Sequence, residues 1–325
     1  MKPRLLVLEL WGLGDLALTA PFLRAAEAQF EITLVAKPMS PALRDRLFPR
    51  VNIVPFVAPW TAFSAKYQFH QWPWRTINRC LRELRSTRFD VAVSARTDPR
   101  DHVMLMLAGA KRRVGFARSG SGVFLTERLP PTNYVHRYES WREIGSRLGV
   151  AVPARNAMPS LPPRRNAQIL VHTGAARAVR VWPLERYGQL VAHLRRQGRA
   201  VTVACDPNQR DWWVGTQESD LHVPATPDDL LAIIDRCGLF IGNDSGPGHV
   251  AAFCGLPTLT IFGPQLPDLF APVHPQSQWV EGAQCPFKPC WDSCKFEQPN
   301  CILGVDSETV IRRADEFVSM HTPIN

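Results

Sequence analysis

The sequence contains no apolar run as long as the roughly 20 residues that a membrane-spanning helix requires. It also lacks short-period repeats and low-complexity segments, which excludes solenoid and fibrous architectures. The opening segment MKPRLLVLELWGLGD has no small-residue cleavage site of a secretory signal and runs into a glycine turn, so we interpret it as the first strand. At 45% hydrophobic and 21% charged residues, the chain of 325 residues has a globular composition and is long enough for two domains.

Because no export signal is present, the eight cysteines indicate a reducing compartment in which disulfides are not expected. Four of them stand in apolar surroundings that are typical of a protein core, namely Cys80, Cys205, Cys237 and Cys254. We therefore expect a cytoplasmic protein.

Acidic residues are scarce in the first half of the chain. Residues 1–166 hold 26 Lys and Arg against 12 Asp and Glu, a net charge of +14, whereas residues 167–325 hold 12 against 17, a net of −5. A basic half indicates an anionic partner such as nucleic acid, an acidic membrane surface or a phosphorylated glycolipid, although a solvated arginine-rich surface would give the same pattern. The chain shows no helix-turn-helix or RNA-binding signature, so nucleic acid is not the partner we expect.

Apolar strand patterns alternate with helical patterns in the first half of the chain. Strands are predicted over residues 4–10, 31–36, 52–57, 89–94 and 113–116. Helices are predicted over residues 16–28, with Pro21 near the first turn, 72–88, 100–110 and 134–148. This alternation is typical of an α/β fold with a parallel sheet and helices on both of its faces.

A second alternation follows the segment 151–166, whose four prolines break the pattern and predict a linker. Its predicted strands cover residues 167–172, 200–204, 239–242 and 258–262, and its predicted helices cover 184–197, 207–215, 227–236, 246–254 and 306–318. The sequence therefore predicts two Rossmann-like domains, residues 1–158 and 159–325.

Aromatic side chains concentrate in the irregular segment 57–74, which has no acidic residue. Mixed with Lys and His, and followed by the arginines of the next helix, they suit an acceptor-binding or membrane-surface loop. A loop whose aromatic rings pack into the core would have the same composition, so both interpretations stay open.

The most informative stretch covers residues 237–264, CGLFIGNDSGPGHVAAFCGLPTLTIFGP. It predicts a buried strand, a turn of helix-capping residues at Asp244 and Ser245, a small-residue helix from Gly246, and a second buried strand. A glycine-rich turn at the carboxyl end of a parallel strand is where open α/β sheets bind ligands, and a helix N terminus suits a phosphate. His249 lies on the same helix and is expected to point toward that ligand. The alternative is an ordinary strand–helix turn with a capping Asp.

A second turn with a polar end is formed by Gly12, Leu13, Gly14 and Asp15. Its glycines allow a close approach of the backbone to a ligand, and Asp15 falls at the start of a helix, where a positioned carboxylate could act as a general base. The turn lacks the third glycine of the dinucleotide fingerprint, so on spacing alone a plain helix cap explains it equally well.

The loop after the strand 167–172 combines small residues with two arginines, Arg177 and Arg180. Together with Thr173 and Gly174 they form a plausible clamp for a diphosphate. Asp206 follows the next strand, in a position from which an acid could bind ribose hydroxyls. Trp182, in the same loop, is expected to be a core residue.

Four cysteines lie within 17 residues near the end of the chain, at Cys285, Cys290, Cys294 and Cys301. They could hold a structural zinc or iron ion, although their spacing is not that of paired CxxC knuckles. Buried thiols in a tight loop are the alternative.

These motifs resemble those of the heptosyltransferases, glycosyltransferase family 9. The similarity lies in D-S-G-P-G-H followed by A-A, G-x-P-T and F-G-P, in the segment GLGDLALTAPFLRA at residues 12–25, and in the small-residue loop that leads to Trp182-Pro183. The cysteine segment follows in family order. In other members a Lys commonly stands where this chain has Arg180.

The resemblance implies a GT-B fold, in which two Rossmann-like domains with parallel sheets face a central cleft. The first domain would bind the acceptor and the second the nucleotide sugar. The terminal helix 306–318 would pack back on the first domain.

The resemblance also implies an inverting transfer of heptose from ADP-heptose to an anionic lipopolysaccharide core acceptor, with Asp15 as the general base. The donor would be bound by Gly14, Thr173, Gly174, Arg177, Arg180, Asp206, Asp244, Ser245, Gly246 and His249. No cofactor would be required, and a metal at the cysteines would be structural. The enzyme would work in the cytoplasm, in peripheral contact with the inner face of the inner membrane.

Three alternatives remain at this stage. The protein could use another nucleotide sugar or act as an epimerase of similar fold, which would need no acceptor. It could be a basic nucleic-acid-binding protein, whose binding would depend strongly on salt. It could also be a non-catalytic family member that binds ADP without turnover.

Overall fold

The computed structural model describes residues 1–39, 41–62, 66–130, 135–158 and 167–321. The chain divides into two compact units, Met1–Ala154 and Arg155–Asn325. The division falls inside the proline-rich segment 151–166 that was predicted as a linker. Residues 159–166 of that segment, residues 63–65 of the aromatic segment and Tyr134 of the helix predicted over 134–148 lie outside the described residues.

A six-stranded sheet forms the centre of the first unit. Its strands are β1 (Arg4–Glu9), β2 (Glu31–Ala36), β3 (Asn52–Pro55), β4 (Val91–Ser94), β5 (Arg112–Phe116) and β6 (Glu127–Leu129). Every pair is parallel and the order is β3-β2-β1-β4-β5-β6. The helices are α1 (Leu13–Ala26), α2 (Pro41–Leu47), α3 (Trp74–Thr87), α4 (Pro99–Leu107) and α5 (Arg137–Arg147). The strand order reverses between β1 and β4, which places a ligand-binding crevice at the carboxyl ends of these two strands.

The second unit repeats this plan. Its strands are β7 (Ile169–His172), β8 (Val201–Ala204), β9 (Leu221–His222), β10 (Leu239–Asn243), β11 (Thr258–Phe262) and β12 (Ser277–Glu281), all parallel in the order β12-β11-β10-β7-β8-β9. Its helices are α6 (Leu184–Arg196), α7 (Arg210–Gly215), α8 (Pro227–Arg236), α9 (Gly246–Phe253), α10 (Pro267–Phe270), α11 (Asn300–Leu303) and α12 (Ser307–His321). The order reverses between β7 and β10.

The central strands are buried on both faces, which is why they are near-continuous apolar runs in the sequence. Leu5 to Leu8 of β1 are fully buried, and so are Leu259 and Ile261 of β11. Trp182 is fully buried, as predicted, and its indole N–H donates to the carbonyl of Val305 at 2.7 Å. The four cysteines predicted to lie in the core are also buried.

Helix α1 differs from its prediction because it begins at Leu13, three residues earlier than expected. Gly12 is the N-cap residue, and its N–H donates to the Asp15 carboxylate at 3.4 Å, which adds the extra turn. Pro21 therefore lies in the interior of the helix, and its predicted place near the first turn was wrong.

Helix α12 forms part of the core of the second unit. Val310, Ala314 and Phe317 are fully buried there, and Asp315 accepts a hydrogen bond from His193 of α6 at 3.0 Å. The expected packing of this helix against the first unit stays a prediction.

Candidate functional site

Asn243 fixes the loop that follows β7 at the point where the second sheet reverses its order. The residue is fully buried at the end of β10. Its side-chain oxygen accepts from the backbone N–H of Trp182 at 3.0 Å, and its side-chain NH₂ donates to the carbonyl of Thr173 at 2.8 Å. Both ends of the loop that follows β7 are thus held to the end of β10, at the crevice where a doubly wound sheet binds ligands.

Ser245 begins α9 with extended backbone angles, φ −156° and ψ 166°. Its Oγ atom is buried and has no hydrogen-bond partner among the described residues. Gly246 is the first helical residue, and His249, one turn along the same helix, is buried. A helix N terminus with an unsatisfied hydroxyl is suited to accept an anion.

Arg180 lies between two carboxylates. Its Nη1 is 3.2 Å from Oδ2 of Asp244, and its Nε and Nη2 donate to Asp292 at 2.7 and 2.8 Å. Asp292 also accepts from the side chain of Gln265 at 3.2 Å. Arg180 and Asp244 were predicted from the sequence, whereas Asp292 was not, because nothing in the cysteine segment marks it as a partner of a residue 112 positions earlier.

Asp206 packs directly on Gly174. A Cβ atom at Gly174 would lie 2.2 Å from Oδ1 of Asp206, so only glycine permits this approach. Fully buried His172 lies in the same region, and burial lowers its pKa while the Asp206 carboxylate opposes that shift. The structure thus brings Gly174 and Asp206 to the same sheet edge as Arg180 and Ser245.

The side chain of Thr173 makes hydrogen bonds within the second unit. Its buried hydroxyl donates to the side chain of Gln209 at 2.9 Å and accepts from the indole of Trp213 at 3.3 Å. Arg177 is half-buried in the same loop, just before the turn that carries Arg180.

Asp15 and Gly14 lie in the first unit, in the first turn of α1 after β1. The Asp15 side chain is 24% exposed, so its carboxylate can still be reached from solvent. One of its oxygens accepts from Gly12, and the other is 3.5 Å from Nε of Arg137. Gly14 was grouped with the nucleotide-binding residues, but the other members of that group all belong to the second unit.

A buried charged cluster that was not predicted from the sequence lies next to Asp15. Glu9, the last residue of β1, is fully buried and lies 3.3 Å from Nη2 of Arg137. Burial raises the pKa of Glu9 to about 7, with Arg137 opposing the shift and Asp15 adding to it. The guanidinium groups of Arg137 and Arg96 lie over the Trp11 ring at 4.3 and 4.8 Å. The signal in the sequence was an acid at the end of the apolar run RLLVLE, whereas Arg137 had no signal at all.

The four cysteines near the end of the chain line a common cavity of about 140 Å³ together with Phe287 and Phe296. Burial raises the pKa of Cys301, the most deeply buried of the four thiols. Within the described ranges, no three His, Cys, Asp or Glu side chains are arranged to hold a metal ion. In this arrangement the thiols do not fit a metal centre.

None of the helices in the described part of the chain is both long and apolar enough to cross a membrane.

Comparisons with known proteins show the family to which the chain belongs. The model of glycosyltransferase family 9 (heptosyltransferase) matches residues 77–299, more than half of the chain. The matched segment includes the loops after β7 and β10 but begins after the Gly12–Asp15 turn. The lipopolysaccharide core heptosyltransferase OpsX of Haemophilus influenzae is 23% identical over 270 residues, which are 73% of this chain and 78% of that protein.

Two solved structures have a fold similar to that of this chain. The E. coli heptosyltransferase WaaC with ADP has a TM-score of 0.73 at 15% identity, over 97% of this chain and 99% of that one. The iron-containing dodecameric glycosyltransferase TibC of enterotoxigenic E. coli H10407 has a TM-score of 0.54 at 16% identity, over 97% of this chain and 78% of that one. The α/β fold of the GT-B glycosyltransferases, expected from the resemblance, is thereby confirmed. The motifs, the fold and the family match agree, and the chain belongs to glycosyltransferase family 9, the heptosyltransferases.

Proposed function

We propose that this protein transfers heptose from ADP-heptose to an anionic lipopolysaccharide core acceptor. The observation that carries the proposal is the buried Ser245 hydroxyl at the N terminus of α9, which lacks a hydrogen-bond partner among the described residues. An unsatisfied buried hydroxyl costs about 1–3 kcal/mol, and a diphosphate oxygen bound there would satisfy it. WaaC was solved with ADP, which supports ADP as the nucleotide.

The donor would be bound at the carboxyl ends of β7 and β10. Ser245 and Gly246 would meet the diphosphate, and Arg177 and Arg180 would neutralise it. Asp244 would orient Arg180, and His249 would stabilise the departing diphosphate. Asp206 would accept from the ribose hydroxyls beside Gly174, Thr173 would hold the loop in place, and Gly14 would offer its backbone to the donor sugar.

Asp15 would act as the general base of an inverting displacement. Its carboxylate takes the proton of the acceptor hydroxyl while the acceptor oxygen forms a bond to the anomeric carbon. The bond from that carbon to the diphosphate oxygen breaks, and ADP leaves with the electron pair. One displacement inverts the configuration at the anomeric carbon.

The first unit would bind the anionic acceptor and the second unit the nucleotide sugar. The excess of basic residues in the first half supports this assignment. Tyr67, Phe69 and Trp74 are 68%, 53% and 48% exposed, and the arginines Arg75, Arg79 and Arg82 are exposed on α3. Such a mixture of aromatic and basic side chains suits the cytoplasmic face of a membrane, where the protein would work as a peripheral enzyme.

The transfer would need no cofactor, because basic side chains and a helix N terminus would stabilise the negative charge of the leaving diphosphate. A structural zinc or iron ion at the cysteines would require the four thiols to rearrange. Metal analysis of the purified protein tests this, and a stoichiometric ion would establish the site.

The test is ADP release from ADP-heptose, measured with and without deacylated core oligosaccharide. We expect release that depends on the acceptor and falls by roughly a hundredfold or more in Asp15→Asn, because the general base is lost. Asp45→Asn removes an exposed carboxylate from α2 and should leave the rate unchanged.

Acceptor-independent release, or no release despite tight ADP binding, would reject the proposed reaction. Replacing the donor with other nucleotide sugars in the same assay distinguishes a different glycosyltransferase from a non-catalytic binder.

A further inference from the structure

Arg137 lies between two carboxylates at the carboxyl end of β1. The guanidinium of Arg137 has its Nη2 3.3 Å from Oε2 of Glu9 and its Nε 3.5 Å from Oδ1 of Asp15. Its Nη1 donates to the carbonyl of Ala95 at 2.8 Å. The Nη1 and Nη2 atoms are thus hydrogen-bonded to Ala95 and Glu9, whereas the Nε atom faces Asp15 in an ion pair without a hydrogen bond. Contacts on three sides limit the rotation of the group.

The elements that carry these residues are themselves held rigidly together. Arg137 is the first residue of α5, and Asp15 lies in the first turn of α1. The two helices pack through Phe22 and Trp141, which are fully buried and stacked with 5.2 Å between ring centroids. Arg137 is only 9% exposed, and its guanidinium lies 4.3 Å from the centroid of the Trp11 ring.

We propose that Glu9 and Arg137 are positioning residues that set the direction of the Asp15 carboxylate for proton transfer. The inference rests on the proposed role of Asp15 as the general base. The Gly12 N–H attaches one carboxylate oxygen and Arg137 faces the other, so the plane of the group is defined from both sides. Each oxygen of an ionised carboxylate accepts about two hydrogen bonds, so acceptor sites remain on the exposed side.

Glu9 sets how firmly Arg137 is held. The groups facing Glu9 are Arg137 from α5, Arg96 after β4, Asp15 and the Thr19 hydroxyl from α1, and the backbone N–H of Trp11. Ionised Glu9 binds the guanidinium as a charged partner, whereas protonated Glu9 loses that attraction. The pKa of Glu9 is raised to about 7. The attraction between Glu9 and Arg137 is therefore complete above neutral pH and weakens below it.

The experiment compares Glu9→Gln with the unmodified protein in acceptor-dependent ADP release. Gln keeps the size of the side chain and removes its charge, and Arg137 retains Asp15 as a partner, so the variant should fold. We expect kcat to fall roughly ten- to a hundredfold with the KM for ADP-heptose unchanged, because misplacement of a reacting group slows chemistry without weakening donor binding. In the unmodified protein the rate should rise with pH around 7, as Glu9 ionises. The variant should lack this rise.

Arg137→Lys provides a second variant, since Lys keeps the charge but cannot face two carboxylates with a planar fork. It should show the same loss of kcat. Glu139→Gln is the matched control, because it removes from the same helix a carboxylate that pairs with Arg142 at 2.6 Å. Its rate and pH profile should equal those of the unmodified protein.

A folded Glu9→Gln protein with unchanged kcat and an unchanged pH profile would overturn the positioning role and leave the transferase intact. The same result in Arg137→Lys would also overturn it. If the unmodified protein releases no ADP with any acceptor, the proposed function itself fails, and that outcome is visible before any variant is compared.

Discussion

At the scale of single residues, Arg180 shows why a positive charge in a loop is not by itself a phosphate site. Its guanidinium already faces Asp244 and Asp292, and Asp292 binds it through two hydrogen bonds. Trp291 and Asp292 both have positive φ, 53° and 66°, a conformation that residues other than glycine rarely adopt. A diphosphate approaching α9 would have to compete with Asp292 for this arginine.

We therefore expect Asp292→Asn to bind ADP more tightly than the unmodified protein, by roughly three- to tenfold, because Arg180 loses a charged competitor. Calorimetric titration with ADP measures the effect. Asp268→Asn removes an exposed carboxylate from α10 and serves as the control for net charge. Weaker ADP binding in Asp292→Asn would mean that Asp292 holds Arg180 in the productive position.

At the scale of elements, a few buried polar contacts hold the loops of the second unit to the ends of its strands. β7 and β10 are neighbours in the sheet, and Asn243 at the end of β10 is hydrogen-bonded to both ends of the loop that leaves β7. The long elements were predictable, because buried parallel strands and amphipathic helices leave clear periods in the sequence. The edge strands β6, β9 and β12 and the helix α2 were not predicted. Two or three residues, as in β6 and β9, are too few to show a period, and β12 has a single buried position.

Asn243→Ala should lower both stability and ADP affinity. It leaves the N–H of Trp182 without its partner and takes one donor from the Thr173 carbonyl, both buried, so we expect a loss of about 2–4 kcal/mol in the free energy of unfolding. Loosened loops should also weaken ADP binding. Chemical denaturation and ADP titration check the two effects, with Asn78→Ala on the exposed face of α3 as the control. Full stability together with full affinity would show that the loops do not depend on this residue.

At the scale of the whole molecule, charge is divided between the two halves of the chain. The first 166 residues carry a net +14 and the remainder −5. Charge of one sign gathered in one half attracts anionic surfaces and does so less at high salt.

We expect the full chain to sediment with vesicles that contain anionic lipid, and to do so less as salt increases. Replacing Arg79 and Arg82 of α3 by Gln should reduce binding by roughly 1 kcal/mol per arginine. Replacing Arg210 and Arg312 of the second unit, which are similarly exposed, should have little effect. Equal losses in both double variants would indicate that net charge alone, and not this helix, attracts the vesicles.

The two α/β halves and the turns at Asp15 and Asp244 follow from the sequence alone, because apolar periods and capping residues act over short distances along the chain. The linker over residues 151–166 stays a prediction. Which side chains meet depends on the tertiary structure. Glu9 and Arg137 are 128 positions apart, and Arg180 and Asp292 are 112 apart. Such pairs leave no local period, since their contact depends on the order of strands in the sheet and on the paths of the loops between them.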